Sequence, residues 1–365
     1  MPLYALYALW FGDSGLTDAQ VSVLFLVWSV VGFVFEVPSG ALADRFSRRG
    51  CLVGAGIVQA AGFAVWVILP TFAGFTAGFV CWGISTALIS GAFEALVFDR
   101  LAEEDATAHY QRILGVVTAI SLTAQLPAAL AATALFAIGG YPLVGWVSVG
   151  ICLCASGLGL RLPEPARHLG NVAEVADPMD LAGAGGYLTA LRTGIADAAA
   201  DSAVRTAVLG VALLGGFDAL DEYFPLLAQD WQVATAAVPV AILVIPLAGA
   251  IGAAASGLAD RLDSRSLATI LVLAVLLLGG AAVLHQPIGL LGVAVFYGLY
   301  QLVLVAADAR LQHRITGSAR ATVTSVASLG TEIAAVGLYL GWAAGGLGLI
   351  VVAGLLLALM LPKLT

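Results

Sequence analysis

The chain has 365 residues, of which 61% are hydrophobic and only 10% charged, with a mean hydropathy of +1.02 and a formal net charge of −8. A soluble domain carries about 25% charged residues, so this chain cannot cover its own surface in water, and a water-soluble globular protein is excluded. In a lipid-embedded chain the placement of charge carries more information than its sum.

A membrane-spanning helix needs roughly 20 apolar residues. In chain order such spans are expected at about 2–11, 19–41, 51–69, 72–98, 112–137 and 142–161. After a more polar segment at about 162–203, further spans are expected at about 204–228, 235–258, 266–284, 288–307, 319–340 and 342–361. They are rich in Ala, Leu and Val, and the chain has 43 glycines; small residues let helix backbones approach closely in lipid. The expected fold is all-α, a polytopic membrane protein of two six-helix bundles, one over 1–161 and one over 204–365, joined by a linker at 162–203. The first span is short, since ten residues rise only about 15 Å, half a bilayer core. Its counterpart in the second half begins near Ala203, so a first helix lacking its opening turns is expected, with a short tilted segment as the alternative.

The most informative motif is Gly40-Ala41-Leu42-Ala43-Asp44-Arg45-Phe46-Ser47-Arg48-Arg49, a charged hairpin between spans two and three. A weaker copy runs from Ser256 to Arg265, and its aspartate, Asp260, follows Asp44 at an offset of 216 residues (260 − 44). A charged turn recurring once per half implies a duplicated bundle, an architecture of transporters. With the Asp44 hairpin placed in the cytoplasm, alternate threading puts all 15 Lys and Arg residues on that side, and leaves Asp13, Asp18, Asp230 and His285 on the other. That distribution obeys the positive-inside rule throughout. A second charged cluster repeats as well. Asp99 and Arg112 around spans four and five correspond to Asp308 and Arg320 around spans ten and eleven, at offsets of 209 (308 − 99) and 208 (320 − 112).

The costly charges lie deeper. Asp218, Asp221 and Glu222 fall within span seven and Glu332 within span eleven, where a charge at the bilayer centre costs about 2.5–3.5 kcal/mol on insertion scales. Such acids are expected to face the bundle interior or a water-filled cavity, and no Lys or Arg within a span neutralises them. Proton handling or a cationic substrate both fit; for Asp221 and Glu222 a wet vestibule is the plainer alternative. Gln125, Tyr223, Tyr297, Tyr300 and Gln301 are candidate cavity-lining residues, with Tyr4, Tyr7, Trp28 and Trp82 beside them, although each alone also reads as packing. Cys51, Cys81, Cys152 and Cys154 read as packing residues. The four histidines are scattered, no metal or cofactor is expected, and the absence of a Gly-Lys-Ser/Thr phosphate loop argues against ATP-driven transport.

The hairpin resembles the loop between helices two and three of major facilitator superfamily transporters, with Ser47 where Gly is usual. Glu36-Val37-Pro38-Ser39-Gly40 and Arg320-Ala321-Thr322-Val323-Thr324-Ser325 are similar to that superfamily too. The resemblance implies a non-enzymatic secondary transporter working by alternating access. It implies a cytoplasmic gate in which Asp44 faces span eleven near Arg320, and Asp99 pairs with the hairpin arginines Arg45, Arg48 and Arg49. Gly40, Glu36, Glu94, Arg112, Asp260, Arg261, Asp308 and Arg310 join that gate as candidates; a charge cluster set only by topology is the alternative. Span four lacks the basic residue and span five the glycine-rich pattern that many drug exporters of the superfamily carry. The expected partners are a small organic solute, protons and the lipid bilayer, with no nucleic acid, and the expected form is a monomer in the cell membrane with linker and C-terminus cytoplasmic. Efflux of an amphipathic or cationic compound ranks first, then uptake of a nutrient or metabolite, then a transporter-like sensor.

Overall fold

The computed structural model describes residues 1–45, 47–104, 106–163, 202–257, 262–314 and 320–364, and all regular structure among them is helical. A 3-10 turn at Pro2–Ala5 leads into α1 (Tyr7–Asp13), followed by α2 (Asp18–Arg45), α3 (Arg48–Ile68), α4 (Phe72–Glu103) and α5 (Tyr110–Gly159). The second half comprises α6 (Ser202–Phe217), α7 (Phe224–Asp230), α8 (Val238–Ala241), α9 (Val244–Ala254), α10 (Ser264–Leu284), α11 (Gly289–Arg314) and α12 (Arg320–Leu364). Helices suit lipid because every backbone N–H and C=O finds its partner within the segment.

Two of these elements each hold two spans. α5 is broken by non-helical geometry at Gly139 and by Gly140 at φ 62°, and α12 by Gly346 at φ 56°. A positive φ is open to glycine at no steric cost, so the chain reverses there almost without a loop. The joint at Gly140 falls within the expected gap between spans five and six. The joint at Gly346 corrects the expected end of span eleven at 340, because apolar residues run straight through the turn and hide it. Two further corrections concern continuity. Span seven is interrupted by a 3-10 stretch at Asp218–Tyr223, and span eight is assembled from a 3-10 turn, the four-residue α8 and α9.

The chain divides into two compact units. One contains Met1–Leu16 and Leu24–Tyr187; the other contains Thr17–Val23 and Leu188–Thr365. In the first, α3 packs on α4 and α5. Its core is aromatic, with Tyr7, Phe11, Phe25, Phe63, Trp66, Phe75 and Phe79 all buried. Trp66 donates its indole N–H to the Phe75 carbonyl at 3.0 Å, which meets the need of a buried aromatic N–H for a partner. In the second unit, α6 packs on α12, α9 on α11, and α10 on both α11 and α12. The closest approach is at Gly252, where a Cβ would stand 1.8 Å from the Gly298 carbonyl oxygen. Backbone thus lies directly on backbone between α9 and α11.

The two charged hairpins are capped alike. Ser47 Oγ accepts from the Gly50 amide at 2.7 Å and starts α3, while Asp263 accepts from the Ser266 amide at 2.9 Å and starts α10. The caps stand 216 residues apart (263 − 47), the same offset as the hairpin aspartates. The serine at the usual glycine position is therefore an N-cap. Hydrogen bonds from Ser266 hold the Asp263 carboxyl below its ordinary range.

Replacing Gly252 with Val is expected to cost about 1–3 kcal/mol or more through overpacking. Gly280→Ala, where a Cβ meets nothing within 4 Å, should be neutral or slightly stabilising. Thermal unfolding of the purified protein in detergent checks both, and a Gly252→Val melting point equal to wild type would refute the backbone contact.

Candidate functional site

The helical ladder gives way in the middle of the second unit. α6 stops at Phe217, Asp218-Ala219-Leu220-Asp221-Glu222-Tyr223 winds as a 3-10 turn, and α7 begins with Phe224-Pro225. Pro225 has no N–H to give to the Asp221 carbonyl one turn earlier, so one helical hydrogen bond is missing here and a break is favoured. In 3-10 geometry residues i and i+3 eclipse. Asp218 and Asp221 therefore lie one above the other, within electrostatic reach, and Glu222 turns away to a buried position, 7% exposed.

α11 holds Asp218. The Tyr297 hydroxyl and the Gln301 amide both donate to Asp218 Oδ1, at 3.0 and 2.8 Å. The two donors are four residues apart and share one helix face. Gly249 on α9 makes room for this arrangement, since a Cβ there would stand 2.6 Å from the Tyr297 ring. Tyr300 points elsewhere and donates to the Leu214 carbonyl at 2.6 Å, one of the carbonyls left open at the end of α6.

The other wall is α12. The buried Tyr223 ring stacks on Trp342 with centroids 4.0 Å apart, and the Tyr223 hydroxyl lies 2.8 Å from Ser22 Oγ. Ser22 belongs to the short α2 segment that groups with this unit. Asp221, Glu222 and Glu332 all lie within electrostatic reach of the Tyr339 hydroxyl. Glu332 itself is exposed, on a helix brought close by small residues: a Cβ on Gly216 would meet Ala334 at 2.3 Å. No Lys or Arg occurs in 206–260, 266–309 or 321–362. Asp218 is thus held by a hydroxyl and an amide in a stretch of chain without bases.

In the first unit the charges gather at the hairpin. Arg48 pairs with Asp99 and donates to the Ala95 carbonyl at 3.0 Å, and Arg49 donates to the Leu162 carbonyl at 3.3 Å. Glu36 accepts from Ser90 Oγ at 3.2 Å, and Glu94 shares a hydrogen bond with Tyr110. Arg112 is exposed, and Gln125 stands on an exposed stretch of α5, in the other unit from the acids. The second hairpin reverses the roles: Arg310 on α11 reaches the Leu262 carbonyl at 2.5 Å and Ser264 Oγ at 3.2 Å, while Asp308 is exposed. Asp260 and Arg261 lie outside the described residues, as do the side chains of Gly40, Asp44, Arg45 and Arg320 and most of the linker.

Sequence reasoning did not single out Ser22, Ser90, Tyr339 or Trp342. Glu332, Tyr339 and Trp342 recur at steps of seven and three, the stripe of one helix face, and that signal could have found the α12 wall. The two serines carry no such signal, being common small residues in membrane helices.

The family profile of the Major Facilitator Superfamily matches residues 1–338. The uncharacterized MFS-type transporter Rv2456c of Mycobacterium tuberculosis is 28% identical over 152 residues, covering 41% of this chain and 35% of that protein. YxaM of Bacillus subtilis, likewise an uncharacterized MFS-type transporter, is 29% identical over 86 residues, 24% of this chain and 21% of that one. These alignments span well under half the length of either relative. Among solved structures, a point mutant of the nucleoside transporter NupG superposes with a TM-score of 0.75 at 10% identity, covering 100% of this chain and 96% of that one. A D-xylose-proton symporter superposes with a TM-score of 0.68 at 13% identity, covering 100% and 92%. At such identities the superpositions speak for the fold alone. With the profile covering nearly the whole chain, this polytopic helical protein belongs to the Major Facilitator Superfamily, a superfamily of secondary transporters rather than enzymes.

Proposed function

We propose that the protein couples the movement of a small amphipathic or cationic organic compound to protons by alternating access, in the direction of efflux. The observation that carries this reading is the base-free acid cluster at the interrupted span seven, with Asp218 held by Tyr297 and Gln301. Broken spanning helices near the membrane midplane are where transporters of several folds bind substrate and coupling ion. A carboxylate there can take up a proton or attract a cation, and releasing one for the other is the exchange an antiporter requires. Tyr297 and Gln301 both donate to the same oxygen, so their role is to hold the acid in place for that exchange. Asp221, Glu222 and Glu332 add further carboxyl groups around the Tyr339 hydroxyl.

The remaining assignments follow the same reading. The N-terminal bundle covers 1–161, the linker 162–203 and the C-terminal bundle 204–365, in a monomer of the cytoplasmic membrane. The hairpins, the linker and the C-terminus face the cytoplasm, on the strength of the Lys and Arg distribution. The Arg48–Asp99 pair, with Arg49 and Glu36 near it, forms part of the cytoplasmic gate, and Arg310 braces the second hairpin in the equivalent place.

In proteoliposomes screened against a panel of lipophilic cations, an imposed proton gradient should drive flux, and Asp218→Asn should lower coupled flux by about a hundredfold, the scale of a lost buried charge interaction. Tyr297→Phe and Gln301→Ala should each cost about tenfold, as loss of one charge-assisted hydrogen bond. Unchanged flux in Asp218→Asn would remove the carboxylate from the mechanism, and gradient-driven accumulation in the opposite sense would establish uptake instead. Sidedness has its own test. In a cysteine-free background, a cysteine at Arg265 should react with a membrane-impermeant maleimide only from the cytoplasmic face, and one at Asp230 only from the other; the reverse pattern would overturn the orientation.

A further inference from the structure

Two corners of the second unit meet where the acid site plays no part. α7 ends at Asp230, Trp231 gives its amide to the Leu227 carbonyl at 2.9 Å, and Gln232 turns the chain at φ 68°. The other corner follows α10, where His285 takes φ 48° and gives its amide to the Ala281 carbonyl at 3.1 Å. Among the described residues these two alone combine a side chain with a positive φ, and they flank one contact. The buried Trp231 ring lies against Gly289 at the start of α11, where a Cβ would stand 3.0 Å from it. On the exposed side of that contact His285 Nε2 lies 3.6 Å from Asp230 Oδ2.

A left-handed corner at the end of a helix suits glycine, or asparagine, because a Cβ crowds the following carbonyl there. An imidazole gives the backbone no advantage at such a position, and the partner its side chain meets is the Asp230 carboxylate. A separation of 3.6 Å is an ion-pair distance and too long for a hydrogen bond, so the attraction depends on the charge of the imidazole. Histidine is the side chain whose charge changes between pH 5 and 8. Little else that titrates faces the pair. Apart from His285, no Asp, Glu, Lys, Arg or His occurs in 231–259 or 266–307, which hold both corners, α8, α9 and most of α10 and α11, nor in 333–362 of α12. The ionisable residues in those stretches are Tyr297, Tyr300 and Tyr339. Before α7 the next acid is Glu222, eight residues back (230 − 222) and buried.

We infer that His285 and Asp230 form a pH-responsive clamp on the outer end of span seven, closed when the imidazole is protonated and slack when it is neutral. α7 has seven residues. The 3-10 turn that begins at Asp218 leads into it, and the clamp follows it. With its ladder to α6 interrupted, α7 is held from its outer end, by Trp231 against Gly289 and by the ion pair. The sign follows from the charges. Acid on that side of the membrane charges His285, adds the attraction to Asp230 and steadies α7; rising pH removes it. Both side chains are exposed, so the effect is modest, which suits regulation of the adjoining turn rather than a gate. Placing the clamp on the outer side rests on the orientation proposed above; the pairing itself does not.

The test is amide hydrogen exchange of the purified full chain in detergent, read by mass spectrometry at about pH 5.5 and about pH 8, on either side of the histidine range. After correction for the intrinsic pH dependence of exchange, the amides of 226–233 should be about two- to fivefold better protected at the lower pH, the scale of an exposed ion pair. His285→Asn fits the left-handed corner without a charge and should abolish that difference, as should Asp230→Asn. His285→Lys is charged at both pH values and should keep the segment protected at both. A side chain that served only packing would give no such contrast between asparagine and lysine. Thermal melts check that each variant folds; should His285→Lys fail to, the two asparagine variants decide. No pH difference in wild type, a wild-type difference in His285→Asn, or a wild-type difference in His285→Lys overturns the inference. The exchange test uses no solute. A clamp found here together with unchanged flux in Asp218→Asn would leave the clamp standing and remove the transport site, while gradient-driven flux without a pH difference in 226–233 would do the opposite.

Discussion

Contact between bare backbones on α9 and α11 is what the acid site of the second unit depends on. Gly252 sits against the Gly298 carbonyl, and one turn away Gly249 sits against the Tyr297 ring. Lipid provides no hydrophobic drive between helices, so association rests on packing and on hydrogen bonds made at close range. This close packing fixes the axial position of α11, and hence of Tyr297 and Gln301. Those two donors in turn fix Asp218, two turns before Pro225, whose missing N–H favours a break in the helix. Side chains on one seam and a missing N–H on another converge on a single carboxylate oxygen.

The two units place their charge differently. In the second, Asp218 is met by a phenol and an amide; in the first, charge concentrates at the hairpin, where Arg48 engages Asp99 and the end of α4. The hairpins themselves are built to one plan, with an N-cap at the same repeat position but a different residue in each, and with the arginine supplied from opposite sides of the contact. A duplicated architecture has thus kept the geometry of a corner while exchanging the donors that secure it.

Much of the fold can be read from composition and periodicity, because a lipid-embedded backbone has few options. Among the described residues eight helices are long and apolar enough to cross a membrane, and the joints at Gly140 and Gly346 divide two of them. What could not be read was local geometry set by neighbours. Asp218-Ala219-Leu220-Asp221-Glu222-Tyr223 contains ordinary helix formers, and only Pro225 hints at the interruption. Gly346 is one of several glycines in Gly341-Trp342-Ala343-Ala344-Gly345-Gly346, and nothing in the sequence says which takes the positive φ. For the site, acids within apolar spans announce themselves by their cost, and Tyr297 and Gln301 only as polar residues in an apolar span. The partnership of Glu36 with Ser90 became visible only when the register of α2 against α4 was known.

The glycine joints within α5 and α12 occupy corresponding places, 206 residues apart (346 − 140). Each replaces a connecting loop by a reversal of one or two residues. A corner of that kind offers no slack chain to a protease, an antibody or an inserted tag. It also means that the paired spans on either side enter the bilayer as one unit, since neither can be threaded far without pulling its neighbour in.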